Sequence, residues 1–229
     1  MITEKETVKC EAIFNEERTH RYLWRRVWSK DKPCACVVMI NPCVADCLIM
    51  DTTTYLVVNN IARLEDFGGV EIVNLYSKIT NKLELRWNSD EDLTDGSNNS
   101  YIKKSAAECD TVILAWGTGV LNNKRVLGRI NDVLEQLKPF SKKLHVITDG
   151  DEVRAVHPLA PAVRNQWILE TFEPKDIQPA EKAPTKRKSP AKAEENATTA
   201  ETTADVAEPM PPSEEETTYE NTEARGEEC

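Results

Sequence analysis

Four short apolar runs constrain the fold of this chain more than any other feature. They are CACVVMI (34–40), VEIVNLY (70–76), TVILAW (111–116) and LHVIT (144–148). A continuous apolar run of this kind fits a strand covered on both faces. Segments of helical period lie between the runs. Thr52 to Phe67 carries Tyr55, Val58, Ile61, Ala62 and Leu64 on a helical spacing, with Asp51 as N-cap and Gly68-Gly69 as stop. Residues 97–109 form a short helix. Asn123 to Leu137 carries Val126, Leu127, Ile130, Val133, Leu134 and Leu137 as a stripe ended by Pro139. Strand and helix therefore alternate, which predicts a parallel α/β sheet with right-handed crossovers.

Upstream, TVKCEAIF places Val8, Cys10, Ala12 and Phe14 on one face at period two, and RYLWRRVW does the same with Tyr22, Trp24 and Trp28. An antiparallel hairpin is the simplest reading, with a short helix over the second segment as the alternative. The polar stretch between Tyr76 and Ser97 has no strong period. A loop of that length in a compact domain is usually functional or mobile. No internal repeat and no glycine-rich phosphate loop are present.

The chain carries a net charge of −10, unevenly spread. Residues 1–172 hold 22 Lys+Arg against 24 Asp+Glu, a balance of −2; residues 173–229 hold 7 against 15, a balance of −8. The second segment also has 7 of the 12 prolines and one aromatic residue, Tyr219. It cannot bury enough apolar surface to offset its chain entropy. The expected organisation is one α/β domain over 1–172 and a disordered acidic tail over 173–229, the tail a docking segment for a protein partner or a mimic of DNA. No run approaches the roughly 20 apolar residues of a membrane span, and the N-terminus is charged rather than signal-like. A cytoplasmic protein with reduced thiols is expected. Cys34, Cys36, Cys43 and Cys47 invite a metal test, but strand cysteines behave as small hydrophobes and no paired CxxC knuckles occur, so no metal and no cofactor are expected.

The strand ends carry the chemistry. In an open α/β sheet, ligands bind outside the carboxyl ends of the strands. Here those ends read Asn41-Pro42, Asn74-Leu75-Tyr76 and Trp116-Gly117, and His157-Pro158-Leu159 follows the fourth run. Pro42 holds Asn41 extended, so its amide can face the crevice, where it can hold a water or a base edge. The alternative for Asn41 is a local Asx turn. Asn74 takes the corresponding place on the next strand, and two such amides suggest a shared ligand. His157, as a neutral imidazole, can donate to a developing anion; the alternative is a surface-loop histidine. Among the cations, Arg154 is the phosphate candidate. Arg21, Arg25 and Arg26 form a basic cluster in the hairpin that is either a solvated face or a contact surface, while Lys124 and Arg129 read as a solvated face.

These motifs resemble, in order, a bacterial and phage family, the domain of unknown function 1643. The resemblance rests on Arg21-Tyr22-Leu23-Trp24-Arg25, Ile40-Asn41-Pro42-Cys43-Val44-Ala45-Asp46, Asp51-Thr52-Thr53, Asn74-Leu75-Tyr76, Ala115-Trp116-Gly117 and His157-Pro158-Leu159. It covers roughly residues 20–160. More distantly, Met39-Ile40-Asn41-Pro42-Cys43, Asn74, Ala115-Trp116-Gly117 and His157-Pro158 are similar to motifs of the uracil-DNA glycosylase superfamily. That resemblance implies a three-layer α/β/α sandwich with a central four-stranded parallel sheet, preceded here by the hairpin. It implies that Asn41 positions an attacking water, Asn74 reads the base and His157 stabilises the departing base. Asp46 or Asp51 would assist, with Tyr76, Trp116 and Gly117 completing the base site.

The expected function is recognition of a nucleobase in DNA or in a nucleotide, with hydrolytic release of the base as its enzymatic form. Two alternatives stay open: a non-catalytic accessory protein that keeps the pocket, and a hydrolase of free nucleosides or nucleotides, which the near-neutral domain suits better than duplex DNA.

Overall fold

The computed structural model describes residues 1–43, 46–151 and 153–178. Among these residues the chain builds a mixed α/β fold with one seven-stranded sheet and four α-helices. The strands are β1 (Lys9–Phe14), β2 (Arg21–Val27), β3 (Cys34–Met39), β4 (Gly69–Asn74), β5 (Thr111–Leu114), β6 (Leu144–Thr148) and β7 (Ile168–Thr171). The helices are α1 (Thr52–Arg63), α2 (Asp90–Leu93), α3 (Asn98–Glu108) and α4 (Lys124–Leu137). None is long and apolar enough to cross a membrane.

The sheet order is β1-β2-β4-β3-β5-β6-β7. β4, β3, β5 and β6 pair parallel. The N-terminal segments are both strands, and they are not a separate layer: β2 pairs antiparallel with β4 and so extends the same sheet. β7, which the sequence reading did not foresee, closes the other edge antiparallel to β6.

Period two sorts each central strand between two apolar clusters. Ala35, Val37 and Met39 of β3 pack with Val57 and Ile61 of α1. Cys36 and Val38 pack with Ile102 of α3 and with Val126, Ile130 and Val133 of α4. Each fully buried aliphatic side chain contributes about 1.5–3 kcal/mol, so the continuous apolar runs are what a sheet flanked on both faces requires.

Local chemistry sets the helix ends. Asp51, extended at φ −71° and ψ 166°, accepts the Thr54 N–H at 2.8 Å and starts α1. After α1, Gly68 passes so near the 29–32 turn that a Cβ there would clash with the Ser29 carbonyl and lie 2.8 Å from that of Lys32. Asn123 starts α4 by accepting the N–H groups of Arg125 and Val126.

Regular structure continues past Phe172, so a tail beginning at 173 needs correcting. Pro174–Ile177 form a 3-10 turn, and buried Asp176 takes the Arg154 guanidinium at 2.6 and 3.1 Å. The acidic composition of the segment hid this one ion pair. All described residues belong to one compact unit. The expected disorder of 179–229 lies outside the described residues.

Candidate functional site

The winding of the sheet opens a crevice. From β3 the chain leaves through α1 to β4 on one side; from its neighbour β5 it leaves through α4 to β6 on the other. Connections diverging from adjacent parallel strands part above their carboxyl ends, where open α/β sheets receive ligands. Two cavities lie there and share Ile40 and His157 as walls. One is a polar recess of about 90 Å³, lined also by Arg21, Asn41, Cys43, Asp51 and Thr53. The other, of about 350 Å³, is apolar and formed by Trp116, Val120, Val156, Ala160 and the 117–119 segment.

Asn41 follows β3 directly. Its Nδ2 donates to the Thr80 carbonyl at 2.7 Å and to that of Pro42 at 3.3 Å. Both amide protons are thereby committed, which leaves Oδ1 to accept from a ligand or water. Asp51 caps α1 and also accepts the Thr54 hydroxyl at 3.2 Å. Cys43 donates its thiol to Asn81 Oδ1 at 2.9 Å.

His157 reaches the recess from the loop after β6. Its Nδ1 accepts the Leu159 N–H at 3.2 Å, which places the ring proton on Nε2. Burial holds its pKa below the ordinary histidine value, against the opposing pull of Asp51. The ring is therefore neutral at physiological pH and a donor through Nε2. Gly117 sets its position: at φ 79° and ψ 158° it lets the chain pass so closely that a Cβ would lie 2.8 Å from the His157 Cβ. The Trp116-Gly117 motif thus supports the His157-Pro158 motif from below, and Trp116 walls the apolar cavity.

Arg21 is the residue the sequence reading missed. It is 1 % exposed, and burial lowers its pKa to about 10, with Asp51 and then Cys43 opposing. A bulge turns it inward. In the β1–β2 ladder Ile13 pairs with Leu23 but Phe14 pairs with Arg21, so Tyr22 is an extra residue on β2. Tyr22 stacks on Tyr101 of α3 at 5.1 Å, and Leu23 packs in the cluster of α3 and α4. Trp24 packs on the α1 side, and Arg21 lines the recess beside Met39 of that same face. Strict alternation would have sent Arg21 and Trp24 to opposite faces.

The remaining expected site residues are dispersed. Asn74 pairs across the ladder with Met39, whose side chain walls the recess. It is 1 % exposed, and neither of its amide atoms has a hydrogen-bond partner among the described residues. Tyr76 stands apart from the recess: it packs in the cluster of α3 and α4 and lines a cavity of about 470 Å³ with Asp90, Arg125 and Arg129. Asp46 also stands outside, since its carboxylate accepts the Leu48 and Ile49 N–H groups at 2.8 Å and closes its own turn. Arg154 is engaged by Asp176 and Glu170, away from both cavities of the crevice. Arg129 is no solvated cation either; it donates to the Leu75 carbonyl at 2.8 Å and to Asn99 at 2.6 Å. Among the described residues no group of three or more His, Cys, Asp or Glu side chains is placed to hold a metal ion.

No curated protein and no solved structure matches the chain. Residues 21–159 match the profile of a family described as Protein of unknown function (DUF1643). That segment begins at the buried arginine of the recess, ends two residues after its histidine and spans more than half of the sequence, so the chain belongs to the DUF1643 family.

Proposed function

We propose that the crevice recognises a nucleobase carried by a nucleotide or by DNA, and that it hydrolyses the N-glycosidic bond. The observation that carries this reading is the convergence of Asn41, Asp51 and His157 in one recess beside an apolar cavity. A planar base has apolar faces and a polar edge, and the paired cavities offer matching surfaces. The parallel strands β4, β3, β5 and β6, with α1 against one face and α3 and α4 against the other, support reading the domain as a three-layer α/β/α sandwich of the uracil-DNA-glycosylase type.

In this reading a water held by Asn41 Oδ1 attacks the anomeric carbon. The C–N bond breaks and its electron pair leaves with the base. Asp51 takes the proton of the water, as an amide cannot, and His157 Nε2–H donates to the base oxygen on which charge develops. Asp46, bound up in its own turn, has no part in this scheme. Between DNA and a free nucleotide, the balance of −2 over residues 1–172 favours the nucleotide, because a DNA-tracking surface is basic. The six described cysteines are free thiols, which supports a reducing, cytoplasmic setting.

The test is base release from oligonucleotides and nucleotides carrying uracil, mismatched thymine or modified pyrimidines, with Asn41→Ala and His157→Ala as controls. Release by the wild type that disappears in both variants is expected. Absence of release from every substrate by the folded wild type refutes hydrolysis and leaves the recess as a binding site of an accessory protein.

A further inference from the structure

We infer that Arg21 faces the departing base and that the recess is built to hold a base as its anion, a cyclic imide or amide that has lost its glycosidic proton equivalent. The inference rests on the hydrolytic reading above and adds to it a residue and a substrate class. A neutral His157 lends one hydrogen bond to the leaving base but no charge. The group in the recess with a full positive charge is Arg21, 1 % exposed. A hydrogen bond to a charged donor is roughly twice as strong as a neutral one and strengthens further where water is excluded.

The presence of Asp51 beside Arg21 fits this role rather than opposing it. Before reaction the recess holds a carboxylate and a guanidinium. As Asp51 takes the proton of the attacking water its charge disappears, while the bond pair passes to the base. The negative charge moves from Asp51 to the base, and Arg21 faces a single negative charge before and after. A reaction that conserves the charge of a buried site avoids exposing an unpaired ion at low dielectric, which costs several kcal/mol. The bulge at Tyr22, fixed by the stack on Tyr101, is the device that holds Arg21 on the recess side of the sheet.

The donors around the recess also select among bases. The His157 Nε2–H and the guanidinium are donors, and Asn41 has both amide protons committed elsewhere. A base edge rich in carbonyl acceptors fits them. An amino-bearing edge sets donor against donor.

The experiment measures binding, so it does not depend on turnover. Asp51→Asn mimics the state after proton transfer and keeps an N-cap for α1. The probes are barbiturate, a six-membered cyclic imide anionic at neutral pH, and dihydrouracil, a neutral counterpart. In full-length Asp51→Asn protein, calorimetry is expected to show barbiturate bound about tenfold to a hundredfold more tightly than dihydrouracil. Adding Arg21→Gln is expected to erase the preference, and Arg21→Lys, which keeps the charge if the glutamine variant does not fold, to retain part of it. Equal affinity for the two probes in Asp51→Asn protein, no binding of either, or a preference that survives Arg21→Gln, overturns the inference. Base release without any anion preference would leave hydrolysis standing and remove Arg21 from it. An anion preference without base release would do the reverse.

Discussion

Substituting Gly117 by alanine tests how the crevice is held together. At φ 79° and ψ 158° Gly117 occupies a backbone region that is essentially closed to other residues, and forcing alanine into it costs about 1–3 kcal/mol. A second cost is steric. The new Cβ would stand 2.8 Å from the His157 Cβ and 3.1 Å from its backbone nitrogen. Neither atom is the far end of a flexible side chain, and Pro158 restricts His157 to extended conformations, so relief requires moving the 156–158 segment. Together these effects predict a loss of roughly 2–4 kcal/mol. For a domain of this size that lowers Tm by about 5–10 °C. Thermal unfolding followed by circular dichroism measures it, with Gly119→Ala as control, because a Cβ there meets nothing within 4 Å. Nucleobase binding should weaken along with stability, since the His157 ring moves with its backbone. A Gly117→Ala protein that melts within 1–2 °C of wild type, no differently from the Gly119 control, would show that the close approach of the two motifs is absent in solution.

Three other perturbations follow from single side chains. Asn74→Leu removes an amide neither of whose atoms has a hydrogen-bond partner among the described residues, so it should leave the free protein unchanged or about 1 kcal/mol more stable in denaturant titration while weakening base binding; a loss above about 1 kcal/mol would mean that the amide is satisfied. Arg154→Gln strands Asp176, whose side chain is 3 % exposed, and should cost about 3 kcal/mol with no effect on phosphate affinity; an unchanged denaturation midpoint would contradict the anchoring role. The folded His157 has a lowered pKa, so the unfolded chain binds the proton first and stability should fall as pH drops below about 6.5. His157→Gln should flatten part of that slope, the rest belonging to His20, lowered by burial in the same direction; an identical slope would exclude His157 as a source.

Helices α1, α3 and α4 and the parallel strands were legible because they rest on periods that survive without knowledge of the neighbours, whereas α2, a single turn inside the stretch read as a loop, was not. The N-cap Asp51 was legible for the same reason, acting on an N–H group three residues away; that Asn123 caps α4 was not read from the sequence. The crevice followed from the strand ends, and the recess does hold Asn41, Asp51 and His157. β7 was not legible. It is a four-residue edge strand with a largely exposed pattern, and its composition merges into the acidic tail. Nor could composition reveal the Arg154–Asp176 pair, which joins residues 22 apart in the chain.

The positions of Arg21 and Tyr76 share a cause. Sequence reading assigns faces by alternation, and a slip of one residue reverses every assignment beyond it. Such a slip occurs twice at one end of the antiparallel β2–β4 pair, at the start of β2 and just past the end of β4. At Tyr22 the bulge places two successive residues, Tyr22 and Leu23, toward α3 and α4, and so returns Arg21 to the α1 side. After Asn74 the strand ends, and Leu75 and Tyr76 both turn into the cluster of α3 and α4. Asn74 stays on the face of Met39, whose side chain walls the recess, while Tyr76, which alternation would place on the same face, does not. An unbroken pleat would have given the recess a tyrosine and sent the arginine to the opposite face. With its pleat broken at both places, the sheet gives the recess a buried cation, which makes charge rather than stacking the distinctive property of its polar end.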